Sequence, residues 1–264
     1  MQNQKVMFFD IDGTLLPSGE TVFTPSAMDA IKKARANGHL MFINTGRTKA
    51  NLDDYMLHAG FDGYVCACGT YIILNDRVEF YQHTEDTVCQ RVIALAKDCR
   101  IDIVFESWHG IYYNPDEILL ESSMGLIHAL EKHDMITRGF DPQGFNFDKF
   151  VTFMRPDSDL SGFVEAVSSW YDYIDRGHGF GEFVPKGHSK ATGIQWILDH
   201  FHLPLSAAHA VGDSTNDLPM LRYVPHSIAM GNSDPVSLFD EVEFVTRSID
   251  QDGIAYALEH YGFI

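Results

Sequence analysis

Two aspartates stand at i and i+2 in Phe8-Phe9-Asp10-Ile11-Asp12-Gly13-Thr14, directly after a short apolar run. Carboxylates past the end of a buried strand, followed by a permissive glycine, project into a polar crevice rather than into a core. Such a pair suits covalent attack by one group with proton transfer by the other, or the binding of a hard cation. An ordinary turn closed by an aspartate side chain accounts for the same residues, so the pair needs partners elsewhere. A calcium loop of the EF-hand type does not, because its glycine is sixth and Gly13 falls fourth.

Partners exist at three places. Gly212-Asp213-Ser214-Thr215-Asn216-Asp217 is a second acidic cluster, and together with Asp10 and Asp12 it makes an oxygen site suited to magnesium. Asp217 also precedes an apolar helical turn, where a negative charge favours the helix N-terminus. Thr45-Gly46 offers a hydroxyl and backbone N–H groups near a helix start, fit either to hold an anion or to serve as an N-cap. Lys190 begins the amphipathic segment Ser189 to His200, where its charge opposes the helix dipole; a bound anion explains a lysine there. Lys186 and His188 close by read either as solvated loop residues, the favoured reading, or as substrate contacts.

These residues must be positioned by alternating strands and helices. Lys5 to Phe9 reads as a strand, Thr24-Pro25 as an N-cap with proline at the first helical position, and Gly38 as the helix stop. His39 to Ile43 and Tyr64 to Ala67 repeat the strand pattern, and Asn75-Asp76 turns a hairpin. Strands alternating with helices predict a parallel sheet covered on both faces, with ligands outside the carboxyl ends of its strands. From about Thr84 the character changes: a helix, strands near 102–106 and 111–113, a helix starting near Asn114-Pro115, a strand near 149–154, a helix near 158–170 and two closing strands. The parallel pattern resumes at Ser189. The expected fold class is α/β: a Rossmann-like parallel sheet core from residues 1–83 and 185–264, with an inserted α+β cap domain at 84–184 that acts as a lid.

Bulk properties limit the partners. The 264 residues carry 37 acidic against 19 basic side chains, a formal charge of -18, which argues against a general nucleic-acid surface. With 45% hydrophobic and 21% charged residues and no low-complexity tract, the chain reads as globular. The cysteines at 66, 68, 89 and 99 form no C-x-x-C pair, and no apolar stretch reaches membrane-spanning length. Free thiols, no signal peptide and a cytoplasmic location are expected. The oligomeric state leaves no mark in the sequence.

Four segments, in order and spacing, resemble the haloacid dehalogenase superfamily: Asp10-Ile-Asp-Gly-Thr, Thr45-Gly-Arg47, Lys190, and Gly212-Asp-Ser-Thr-Asn-Asp217. Ala229-Met-Gly-Asn-Ser and Asp252-Gly are similar to its Cof-like, sugar-phosphatase-type branch, and the place of the insertion resembles a class II, subtype B cap. The resemblance implies that Asp10 attacks phosphorus, forming an aspartyl-phosphate, and that Asp12 protonates the leaving alkoxide and then activates water. It implies that Thr45 and Gly46 with Lys190 hold the phosphoryl oxygens, with Asn216 beside them. Asp10, the Asp12 backbone carbonyl and Asp213 would bind Mg2+, and Asp217 with Asn216 would orient that shell. The expected partner is a small phosphorylated metabolite such as a sugar phosphate. Physical need agrees, since phosphate-monoester hydrolysis requires accelerations up to ~10²¹-fold, and these demand charge stabilisation. A phosphomutase passing the group to a second hydroxyl, and a non-catalytic phosphometabolite-binding module, are the alternatives. Glu106, Trp108, His109 and Tyr112 in the insertion are candidates both for substrate contact and for cap surface or core.

Overall fold

The computed structural model describes residues 4–118, 120–131, 135–141 and 144–264. In chain order its elements are β1 (Val6–Phe9), α1 (Pro25–Ala36), β2 (Leu40–Asn44), α2 (Asp54–Leu57), β3 (Gly63–Cys66), β4 (Tyr71–Leu74) and β5 (Arg77–Tyr81). Then follow α3 (Asp86–Asp98), β6 (Ile101–Glu106), β7 (Ile111–Tyr113), α4 (Glu121–Glu131), β8 (Ile136–Arg138), β9 (Lys149–Met154), α5 (Leu160–Val167), β10 (Tyr171–Asp175) and β11 (Phe180–Pro185). The chain closes with α6 (Lys190–Phe201), β12 (Ala208–Gly212), α7 (Leu218–Tyr223), β13 (His226–Ala229), β14 (Phe244–Val245) and α8 (Gly253–His260). Two compact units result: residues 1–46, 53–80 and 189–264, and residues 47–52 with 81–188.

The first unit is an eight-stranded sheet in the order β14-β13-β12-β1-β2-β3-β4-β5. Strands β14 to β3 run parallel, and β4 returns antiparallel to β3. Strand β1, Val-Met-Phe-Phe, is buried along its whole length, as a central parallel strand must be when both faces are covered. Val6 and Phe8 join Phe42, Val65, Ile194, Ile197, Met220 and Leu221 on the face covered by α6 and α7, while α1 packs on β2 and α8. Helix α1 starts with Pro25 at its first turn, as expected, and turns Ala27, Ala30, Ile31 and Ala34 inward. Met28, on the same helix, is only half-buried.

The second unit is a six-stranded sheet in the order β10-β11-β9-β6-β7-β8, antiparallel except where β7 pairs with β8. Its main core is aromatic, with Phe105, Phe147, Phe150, Phe163, Phe183 and Tyr171 buried together with Val92 and Ala96 of α3. Each such ring contributes roughly 1.5–3 kcal/mol when fully buried. The helix expected at Asn114-Pro115 begins instead at Glu121. Asn114 accepts the Asp116 N–H on its side chain and the Glu117 N–H on its carbonyl, which closes a tight turn and consumes the groups a helix start would use. Strand β8 carries no periodic signal that would mark it in the sequence.

Cys66, Cys68 and Cys89 are buried and Cys99 is half-buried, all as free thiols, and burial pushes Cys89 up to about 11. Among the described residues no helix is long and apolar enough to cross a membrane.

Candidate active site

The carboxyl ends of β1, β12 and β2 lie side by side in the first unit and carry Asp10, Asp213 and Thr45. Asp10 stays in register through its N–H, which donates to the Val211 carbonyl at 3.1 Å. The chain then folds back, with the N–H groups of Thr14, Leu15 and Leu16 all directed at the Ile11 carbonyl. Gly13 sits at φ +76°, and a Cβ there would overlap the Asp213 carboxylate. Only glycine lets the two acidic loops come this close. Thr14 Oγ1 donates to Asp213 Oδ1 at 3.2 Å, and Asn232 Nδ2 donates to the Gly13 carbonyl at 2.8 Å.

Lys190 is the first residue of α6. Ser189 caps that helix: its hydroxyl accepts the Thr192 N–H, and the Thr192 hydroxyl donates to the Ser189 carbonyl and accepts the Ser189 N–H. The Lys190 side chain is fully buried, and its Nζ donates to Asp10 Oδ1 and to Asp217 Oδ1, each at 2.5 Å. Asp217 is fully occupied, because its Oδ2 accepts the N–H groups of Asp213 and Ser214 at 2.9 and 3.1 Å. It therefore orients both the lysine and the Asp213 loop. Asp217 also closes a capping box with Ser214, directly before α7.

Charge in this cluster does not balance. Burial first, then Asp217, Asp213 and Asp12 raise the Asp10 carboxyl well above the ordinary range, while Lys190 opposes them. Burial and Asp217 push Asp213 up to about 7. Burial works to lower Lys190, but Asp10 and Asp217 outweigh it and hold the ammonium well above its usual value. One cation faces several carboxylates, and oxygens of Asp10, Asp213 and Asp217 lie within 4.8 Å of one another. A hard divalent cation fits this set, since it relieves the repulsion that holds Asp10 and Asp213 up.

Of the residues singled out in the sequence, Asp10, Lys190, Asp213 and Asp217 meet in one network. Asp12 is exposed beside it, and its carboxylate is not in the three-carboxylate group. Thr45 is buried one strand from Asp10; its N–H donates to the Val65 carbonyl and its carbonyl accepts the Cys68 N–H. Neither Thr45 nor Gly46 opens an α-helix: one 3₁₀ turn at Lys49–Asn51 follows, and α2 is capped by the Asp53 carboxylate accepting the Met56 N–H. The helix-terminus argument for an anion there does not hold. Asn216 accepts a 2.6 Å bond from the Ser214 hydroxyl. Sequence reasoning gives Thr14 no role beyond its place in the first motif and passes over Asn44 and Asn232; the signal for the last is the turn-forming Gly231-Asn232 pair within a segment noted for its resemblance. The Lys186 N–H and Nζ donate to the carbonyls of Trp170 and Ser168.

Comparison with known proteins bears on this geometry. The family model for haloacid dehalogenase-like hydrolases matches residues 7–258. The 5-amino-6-(5-phospho-D-ribitylamino)uracil phosphatase YwtE of Bacillus subtilis is 27% identical over 97% of this chain and 97% of its own. The HMP-PP phosphatase of Serratia proteamaculans is 24% identical over 96% of this chain and 93% of its own. Among solved structures, the subclass IIB sugar phosphatase BT4131 superimposes with a TM-score of 0.83 at 25% identity, covering 99% of this chain and 100% of that one.

Proposed function

Because the chain belongs to the haloacid dehalogenase-like hydrolases, as a Cof-like enzyme of their phosphatase branch, we propose that it hydrolyses monoesters of small phosphorylated metabolites, sugar phosphates among them, with Mg2+ and through an aspartyl-phosphate. Asp10 attacks phosphorus, the bond from phosphorus to the ester oxygen breaks, and Asp12 gives its proton to the departing alkoxide. Asp12, now ionised, takes a proton from water; that water attacks the phosphorus, releasing inorganic phosphate and restoring Asp10. Lys190 and the Thr45–Gly46 segment hold the phosphoryl oxygens, Asn216 stands beside them, and Asp217 fixes Lys190. Mg2+ held by Asp10, Asp213 and the Asp12 carbonyl would neutralise charge building on the phosphoryl group.

The observation that carries this reading is the buried Lys190 ammonium bonded to Asp10 and Asp217 beside Asp213. A binding module has no use for a nucleophile kept close to a lysine and short of positive charge. The relatives' named substrates, a phosphoribitylaminouracil, HMP-PP and sugar phosphates, support a small organic phosphate rather than one fixed sugar. The test is phosphate release from a panel of such esters, with and without magnesium, for wild type and Asp10→Asn. Wild type should turn over only with the metal, and the variant should lose at least about 10³-fold. Equal activity in the two proteins sinks the covalent mechanism. Conversion of a hexose 1-phosphate to the 6-phosphate without phosphate release would make the enzyme a mutase.

A further inference from the structure

Asn44 ends β2 one residue before Thr45, in a strand otherwise made of Leu, Met, Phe and Ile, and is completely buried. Its Nδ2 donates to the Lys190 carbonyl at 2.9 Å and to Met220 Sδ at 3.5 Å. Since a carbonyl can only accept, the amide must present its nitrogen there, which leaves Oδ1 facing the other way. That oxygen has no hydrogen-bond partner among the described residues. A buried acceptor without a partner costs about 1–3 kcal/mol, a cost that a leucine of nearly the same shape would not incur. That cost offsets what the donated bonds contribute, so net stability is a weak reason for an amide here.

Asn44 touches the segments that carry the catalytic charges. Lys190 opens α6, and Met220 lies in α7 directly after Asp217, the other residue that grips the Lys190 ammonium. The first turn of α6 has little freedom otherwise: a Cβ on Gly193 would overlap the Val65 side chain, and one on Gly69 would overlap the Ser189 carbonyl. That packing holds the body of α6 on β3 and the following loop, and the Asn44 bond ties the Lys190 carbonyl itself to the end of β2. We propose that Asn44 is a positioning residue, which sets Lys190 relative to Asp10 by tying the carbonyl of the first residue of α6 to the end of β2. The inference rests on the reading of Lys190 as a phosphoryl-binding group.

The experiment is a double-mutant cycle on the full chain, with p-nitrophenyl phosphate and magnesium, using Asn44→Leu, Lys190→Ala and the double variant, each also melted thermally. Asn44→Leu keeps the number and branching of the side-chain heavy atoms and removes both the donor and the unmatched acceptor. It should melt no lower than wild type while kcat falls by about 10–100-fold, the loss typical of a catalytic group displaced by about 1 Å. In the Lys190→Ala background the same substitution should change kcat by less than about twofold, because a residue acting through Lys190 has nothing left to position. A kcat for Asn44→Leu within twofold of wild type overturns the proposal. So do losses that multiply in the double variant. If Asn44→Leu does not fold, Asn44→Ala takes its place in the same cycle. Lys190→Ala as active as wild type removes the reading of Lys190 and this inference with it; an inactive Lys190→Ala beside a fully active Asn44→Leu removes the inference alone.

Discussion

Lys190 in the first unit and Lys149 in the second are both buried, and each is paired with two carboxylates. Lys149 stands on β9 between its neighbours β6 and β11, directly across from Glu106 and diagonally from Glu182. Regular sheet geometry brings the three together. Lys190 meets Asp10 from 180 residues away and Asp217 from 27, through loops at the ends of strands. The charge surplus differs as well. Burial, Glu182 and Asp148 raise Glu106, while Lys149 and Arg47, from the same unit, oppose them. Among the described residues no second cation stands with Lys190 among the groups acting on Asp10 or Asp213, and Asp213 is pushed up to about 7. The Lys149 cluster has a second cation acting on it from its own unit, whereas around Lys190 the oxygens of three carboxylates lie within 4.8 Å of one another.

That contrast can be broken at several points. The largest effect should follow Lys190→Ala, which removes the ammonium bonded to Asp10: kcat for phosphate release should fall by about 10³-fold. A loss below tenfold would place Lys190 with Lys149 as a structural ion. Lys149→Met should leave Glu106 and Glu182 buried and uncompensated, lowering the free energy of unfolding in urea by about 3–5 kcal/mol. Adding Glu106→Gln and Glu182→Gln should recover most of it, since a neutral cluster has no buried charge to compensate. Failure to recover would mean the carboxylates have a role beyond pairing with Lys149.

A smaller effect belongs to the opposite strand ends of the first unit. His209 at the start of β12 is buried, stacked on His226 and against Tyr261 and Phe263, and its imidazole is lowered to about 4 by burial, with Lys5 and His226 adding to the shift. The unfolded chain binds the proton more tightly, near 6.5, so stability is complete above that value and declines as pH falls toward 4. Between pH 7.5 and 4.5 wild type should lose about 2.5 kcal/mol more than His209→Gln, read from urea melts at each pH. Parallel loss in both proteins would assign the acid sensitivity to the carboxylate cluster instead.

Much of the site is legible in residue types and spacing alone. Asp10, Lys190, Asp213 and Asp217 stand at strand ends and a helix start, and although a turn or a helix end accounts for single carboxylates there, their recurrence together with a lysine at a helix start signals chemistry. The helix expected at Asn114 is not legible in this way, because an asparagine before proline begins a turn as readily as a helix, and only the side-chain bond to Asp116 decides which. Thr45 has the residue type of an anion site at a helix start, but the residues after it make a single 3₁₀ turn. Asn44 gives no signal at all. In sequence it is one polar residue closing an apolar strand; its meaning lies in a carbonyl 146 residues away.

What the sequence determined by itself is therefore the local grammar: alternating strands and helices, the polar loops at their carboxyl ends, and the residue types those loops present. The tertiary structure alone decided that the Asp213 loop packs where Gly13 leaves room, that Asp217 spends both oxygens on orientation, and that Lys190 meets its carboxylates without the second opposing cation that Arg47 supplies beside Lys149. The reason is physical. Local conformation depends on neighbours along the chain, whereas burial and charge-charge terms depend on what folding brings within a few ångströms, whatever the distance in sequence.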